Sequence, residues 1–236
     1  MNRLVVINSG LPYASKSWQL KVMLALPEFA QAQTIRMDDV RVQLFGHRAD
    51  LDVTKHEHLF KNEKTRFLIL ERLVCGCPLV ISEALLLTEA GQQRPLLETV
   101  SRAEMYVQTI ERELAGRETI STPNPPSQVL LRVILFHANL ETTNRRIAAN
   151  SDERRSSNAA VFDLEGLRGA VIGFEYPRLY RPLISDTSDE SEENQIRQTG
   201  EIKAFVFTGT LPNDHEQRWA KMVSNHHELR KALGIS

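Results

Sequence analysis

Lys16 and Ser17 stand together at the head of "KSWQLKVMLALPEF", a segment that follows the polar turn "SGLPYAS" and the apolar run "RLVVIN" (residues 3–8). A strand, a glycine-bearing turn and a helix opening on Lys-Ser are the parts of a phosphate cradle. Backbone N–H groups and the helix N-terminus hold the oxygens, the lysine reaches the β/γ-phosphates, and the hydroxyl serves Mg²⁺. Gly10, Leu11, Pro12, Tyr13, Ala14, Ser15, Lys16, Ser17 and Trp18 form this candidate nucleotide site. Two of its spellings are unusual. Ser15 stands where a glycine commonly precedes the lysine, and Tyr13 fills another frequent glycine position; each adds a Cβ where backbone approaches an anion. An ordinary strand-turn-helix with a solvent lysine would share the pattern, but the placement favours the cradle.

A second constellation follows the next apolar run, "QTIRM" (33–37), which leads into "DDVR". A carboxylate just past the C-terminal end of a strand sits on the rim where ligands bind in α/β sheets. Asp38 there can accept the proton of an attacking hydroxyl, and Arg41, one helical turn on, can clamp an anionic part of the acceptor. Helix capping by Asp38 or Asp39 is the competing role.

Taken in order, these stretches resemble the P-loop kinases related to the phage polynucleotide kinase. "GLPYASKS" is similar to that family's "GLPGSGKS" and "MDDVR" to its "RDDxR". "VISEALLL" carries Glu83 where the family's third strand ends in an acid, and "DTSDES" within "PLISDTSDESEEN" matches a segment after the fifth strand. The resemblance covers residues 3–207. It implies ATP as cofactor, with Mg²⁺ on Ser17, Lys16 on the phosphates and Asp38 as general base. Arg41 becomes an acceptor contact and Glu83 a second acid near the metal or acceptor. It also implies a lid around 145–158, with arginines over the transferring phosphate. Arg146 fits the first lid position, Asn150 falls at the second, and Arg154 or Arg155 supplies the missing charge. The expected activity is transfer of the ATP γ-phosphoryl group to a hydroxyl acceptor, a small molecule or a short nucleic-acid end. A nucleotide-binding regulator, a pseudokinase or a simple ATPase on the same fold is the alternative.

The elements that must position these residues follow from hydrophobic patterning. Continuous apolar runs at 3–8, 33–37, 78–84, 130–138 and 180–187 predict about five buried strands of a parallel sheet. Helical periods separate them. One places Phe60, Phe67, Leu70 and Val74 on a stripe that Gly76 ends; another carries Leu96, Val100, Ala103, Val107, Ile110 and Leu114, with Pro95 in its first turn. The expected fold is an α/β P-loop three-layer sandwich over residues 1–207, with an amphipathic helical tail at 208–236.

Composition excludes other classes. With 29 Lys and Arg against 30 Asp and Glu, the net charge is −1, so no global field recruits nucleic acid or an anionic membrane. Cys75 and Cys77, in "CGCP", fit neither a disulfide framework nor the usual zinc spacing and read as buried thiols in a reducing compartment. "KHEH" (55–58) and "NHHE" (225–228) lack the spacing of a helical zinc site. No apolar run approaches a membrane span and the N-terminal run is short for a signal peptide, so the expected location is cytoplasmic.

Overall fold

The computed structural model describes residues 2–9, 16–46, 55–83, 94–116, 126–136, 201–208 and 220–235. In chain order these form β1 (Arg3–Ser9), α1 (Lys16–Leu24), β2 (Gln33–Ile35), α2 (Met37–Phe45), α3 (Lys55–Val74), β3 (Leu79–Glu83), α4 (Arg94–Ala115), β4 (Val129–Phe136), β5 (Glu201–Thr208), β6 (Ala220–Asn225) and α5 (His226–Leu233). One sheet holds all six strands in the order β2-β3-β1-β4-β5-β6. The first four are parallel; β5 and β6 extend the sheet antiparallel beyond β4.

Each face of the parallel part is covered, which is why its strands are apolar throughout. On one face Val6, Ile81 and Ile134 pack against Leu20 and Met23 of α1 and against Leu229 and Leu233 of α5. On the other, Val5, Ile7, Ile35, Val80, Leu131 and Val133 meet Val40 of α2, Ile69 and Leu73 of α3, and Leu96, Val100 and Ala103 of α4. The alternation along each strand assigns neighbouring residues to opposite layers.

Helix ends explain how the turns are made. Gly76, at φ +96°, follows α3 in a conformation that suits glycine. Its N–H donates to Leu73 O at 3.1 Å and that of Cys77 to Arg72 O at 3.0 Å, closing the last carbonyls of the helix before Pro78 leads into the next strand. Arg72 also reaches across to Thr34 O at 2.5 Å, tying α3 to β2. Along α4, Glu104, Gln108 and Glu111 catch the chain that enters β4. Glu104 accepts from Val129 N at 2.8 Å, Gln108 donates to Ser127 O at 3.1 Å, and Glu111 accepts from Ser127 N at 3.1 Å. Burial works to raise the Glu111 carboxyl, but the Ser127 hydroxyl and N–H, helped by the N-terminal amine and Arg3, hold it below the usual glutamate range.

Several expectations are corrected. The parallel part has four strands where five were predicted; the run at 180–187 lies outside the described residues. Within the described part of the tail, 220–225 pairs with β5 as a strand where a helix was expected, and His226–Leu233 is helix. On α3 the inward positions are Thr65, Ile69 and Leu73, one turn apart, while Phe60 and Phe67 are exposed. The α4 stripe is buried through Val107, but Ile110 and Leu114 are exposed. Cys75 is exposed and Cys77 half-buried, so neither is the buried thiol expected. Among the described residues no helix is long and apolar enough to cross a membrane.

Candidate functional site

The connection leaving β1 leads to α1 on one face of the sheet. That leaving β3, its neighbour, leads to α4 on the other. Connections that part in this way open a crevice at the C-terminal ends of the two strands, where ligands bind in such sheets. The predicted residues converge there. Lys16 and Ser17 form the first turn of α1, Glu83 ends β3, and Asp38 and Arg41 lie in the helix that follows β2.

The Ser17 hydroxyl donates to Glu83 Oε2 across a long 3.4 Å. Glu83 is only 8 % exposed, and its other oxygen, Oε1, is buried with no hydrogen-bond partner among the described residues. Burial pushes the Glu83 carboxyl up. The attraction of Lys16 and Arg36 and the Ser17 hydrogen bond oppose this, and repulsion from Asp38 adds to it. Three charged side chains and one hydroxyl therefore act on one carboxylate.

Asp38 and Arg41 form an i,i+3 pair, Nη2 to Oδ1 at 3.8 Å, with Arg41 2 % and Asp38 29 % exposed. Helix α2 begins after Arg36 with no side-chain cap hydrogen bond. Asp38 and Asp39 thus sit within the first turn, where carboxylates favour the helix dipole, and neither is the cap.

Three residues of the crevice were not anticipated. Lys61 of α3 is half-buried beside Asp38 and Arg41. Burial pushes its ammonium down, attraction to Asp38 opposes this, and repulsion from Arg41 reinforces it. The α3 backbone is set against α2 here: Thr65 Oγ1 bonds to Lys61 O at 2.9 Å and contacts Met37 Sδ at 3.0 Å. In the sequence Lys61 is indistinguishable from a solvated helical lysine. Arg36, the residue before α2, is the second: it pairs with Asp39 at 3.9 Å and its charge acts on Glu83. The third is Asn8, fully buried near the end of β1, whose one visible signal is a polar residue closing an apolar run.

Gly10 through Ser15, Arg146, Asn150, Arg154, Arg155 and the "DTSDES" segment lie outside the described residues. Trp18 belongs to α1.

The donors present suit Mg²⁺. The Ser17 hydroxyl and the Glu83 carboxylate, whose Oε2 that hydroxyl already meets, are hard ligands. Mg²⁺ characteristically takes one or two carboxylates and completes its sphere with substrate phosphates and water. Among the described residues no group of three or more His, Cys, Asp or Glu side chains could hold a metal ion.

No protein-family model matches the chain, and no curated protein matches its sequence. Solved structures do match, and kinases recur among them. The Pnkp1/Rnl/Hen1 RNA repair complex aligns with a TM-score of 0.49 at 14% identity, over 80% of this chain and 53% of that one. A chain from Chloroflexus aurantiacus J-10-fl assigned as a kinase gives 0.48 at 10%, over 74% and 79%. Shikimate kinase from Acinetobacter baumannii, in complex with shikimate, gives 0.41 at 12%, over 84% and 91%. The chain spans about half the length of the first of these. With TM-scores under 0.5, these likenesses leave the chemistry to be carried by this chain's own residues.

Proposed function

We propose that this protein binds ATP·Mg²⁺ at the C-terminal ends of β1 and β3 and transfers its γ-phosphoryl group to a hydroxyl acceptor. The observation that carries the reading is the meeting of Lys16, Ser17, Glu83 and Asp38 at one crevice, from α1, β3 and α2. Lys16 neutralises the β/γ-phosphates. Ser17 and Glu83 would hold the Mg²⁺, which when bound would draw charge from the phosphate oxygens. Asp38 takes the proton of the acceptor hydroxyl as its oxygen bonds to the γ-phosphorus and the bond to the bridging oxygen of ADP breaks. Gly10 through Trp18 form the nucleotide cradle, and Arg146 and Arg154 close over the phosphoryl group as a lid.

Arg41 faces the acceptor. With Lys61 nearby, two cations face Asp38, an environment that favours an acceptor bearing phosphate or carboxylate beside its hydroxyl.

The test is titration of ATP·Mg²⁺ with product analysis in wild type, Lys16→Ala and Asp38→Ala. Lys16→Ala is expected to lose nucleotide affinity. Asp38→Ala is expected to keep it and to lose transfer by about 10²–10⁴-fold. Tight binding without turnover, indifferent to Asp38, would instead make this a nucleotide-binding regulator, the outcome that Ser15 and Tyr13 in the cradle favour. Release of phosphate to water in the presence of every offered acceptor would make it an ATPase.

A further inference from the structure

Asn8 is 0 % exposed, and both Oδ1 and Nδ2 of its carboxamide are buried without a hydrogen-bond partner among the described residues. A buried amide in that state destabilises the folded protein, and a native chain satisfies nearly all such groups. The surroundings make the exception specific. Asn8 pairs in register with Glu83 on the adjacent parallel strand. The alternation that puts Val6 and Ile81 under α1 puts Asn8 and Glu83 on that same face, at the end where α1 begins with Lys16 and Ser17. Parallel neighbours lie about 4.8 Å apart. A donor without a partner, Nδ2, therefore stands beside an acceptor without a partner, Glu83 Oε1, while Glu83 Oε2 is turned to the Ser17 hydroxyl.

We propose that Asn8 is a positioning residue for Glu83: its amide takes up Oε1 when the nucleotide–metal complex loads, leaving Oε2 directed at Ser17 and the cation. Asn8 does not touch the reacting atoms; it acts through the carboxylate. The two orphaned atoms are a contact held in reserve, and the strain of keeping them buried is relieved only in the loaded site. Residues that orient a ligating carboxylate commonly control metal affinity by 10–100-fold when removed. This inference rests on the proposed nucleotide–metal site.

The test compares wild type with Asn8→Leu, similar in size and unable to donate, and Asn8→Ser, which retains a shorter donor. ADP affinity is measured without metal. Mn²⁺ affinity of the ADP-saturated protein is then measured by electron paramagnetic resonance, and the thermal midpoint without ligand by calorimetry. Asn8→Leu is expected to weaken Mn²⁺ binding by about 10-fold or more, to leave metal-free ADP affinity unchanged, and to raise the thermal midpoint. Asn8→Ser should lose less Mn²⁺ affinity than the leucine variant. Unchanged Mn²⁺ binding in Asn8→Leu overturns the proposal. So does a leucine variant that fails to fold or melts lower, because the amide would then be a structural support. If wild type binds no ADP, the nucleotide reading fails; if it binds ADP and Mn²⁺ but ignores Asn8, only the role of Asn8 fails.

Discussion

Leu229→Ala probes whether the C-terminal helix is part of the layer that holds α1. Leu229 is 1 % exposed and packs in one cluster with Val6, Ile81 and Ile134 of the sheet and Leu20 and Met23 of α1. Burying a leucine fully is worth about 1.5–3 kcal/mol. Truncation also leaves a cavity, and buried Leu→Ala changes cost about 2–5 kcal/mol in all. Strands β1, β3 and β4 and helix α1 share this cluster with Leu229, so collapse onto the gap is restricted and about 3 kcal/mol is expected. For a chain of this size that is a fall of roughly 6–12 °C in the thermal midpoint. Leu114→Ala is the control: at 54 % exposure it should change stability by no more than about 0.5 kcal/mol. Differential scanning calorimetry of the two variants and wild type gives the comparison. Nucleotide titration should show weaker binding in Leu229→Ala alone, since Leu20 and Met23 belong to the helix that begins with Lys16. A midpoint within about 2 °C of wild type, well under the shift expected for a core leucine, would refute the packing role of α5.

Lys61→Met should raise stability near neutral pH. The Lys61 ammonium is held below the ordinary lysine value, chiefly by burial, with Asp38 attracting and Arg41 repelling it. The unfolded chain therefore binds more protons than the folded one between the lowered value and the ordinary one, so wild-type stability rises with pH through that window. The advantage of the methionine should shrink across it, and urea denaturation at a series of pH values shows whether it does. Gly76→Ala should cost about 1–2 kcal/mol through its positive φ alone, because a Cβ there meets no atom within 4 Å. Gly76→Asn should recover part of that loss in the same calorimetric comparison. Arg41→Lys keeps the charge but loses the planar fork, and should raise the acceptor KM about 10-fold with ATP affinity unchanged; steady-state kinetics with the acceptor once known will decide.

Legibility followed how directly each residue reports its surroundings. The runs at 3–8, 78–84 and 130–138 became β1, β3 and β4 because two covered faces demand unbroken apolar sequence, and Gly76 marked a helix end because few residues adopt its φ. The same reasoning failed on α3. Phe60 and Phe67 look like core by size, whereas the inward row runs through Thr65, whose hydroxyl is satisfied within its own helix. In the tail, Trp219, Met222 and Val223 suited a helical stripe as well as a strand, and pairing with β5 decided the matter for residues 220–225. Lys16, Ser17, Asp38 and Arg41 could be nominated from the sequence because the chemistry proposed for them depends on short spacing. Asn8 and Lys61 could not, since their places beside Glu83 and Asp38 come from strand register and from the packing of α2 on α3.

The position of β1 has a kinetic side. Its two hydrogen-bonding edges belong to strands far along the chain: Leu4 pairs with Leu79, 79 − 4 = 75 positions on, and Arg3 with Val129, 129 − 3 = 126 positions on. Until both partners exist, the apolar "RLVVINS" must wait as an unpaired strand, the kind of segment that slows folding and invites association between chains. Its central place in the finished sheet makes it a late assembly. The crevice beside Asn8 and Glu83 then forms only when the topology closes, so partly folded chains would carry Lys16 and Asp38 without bringing them together.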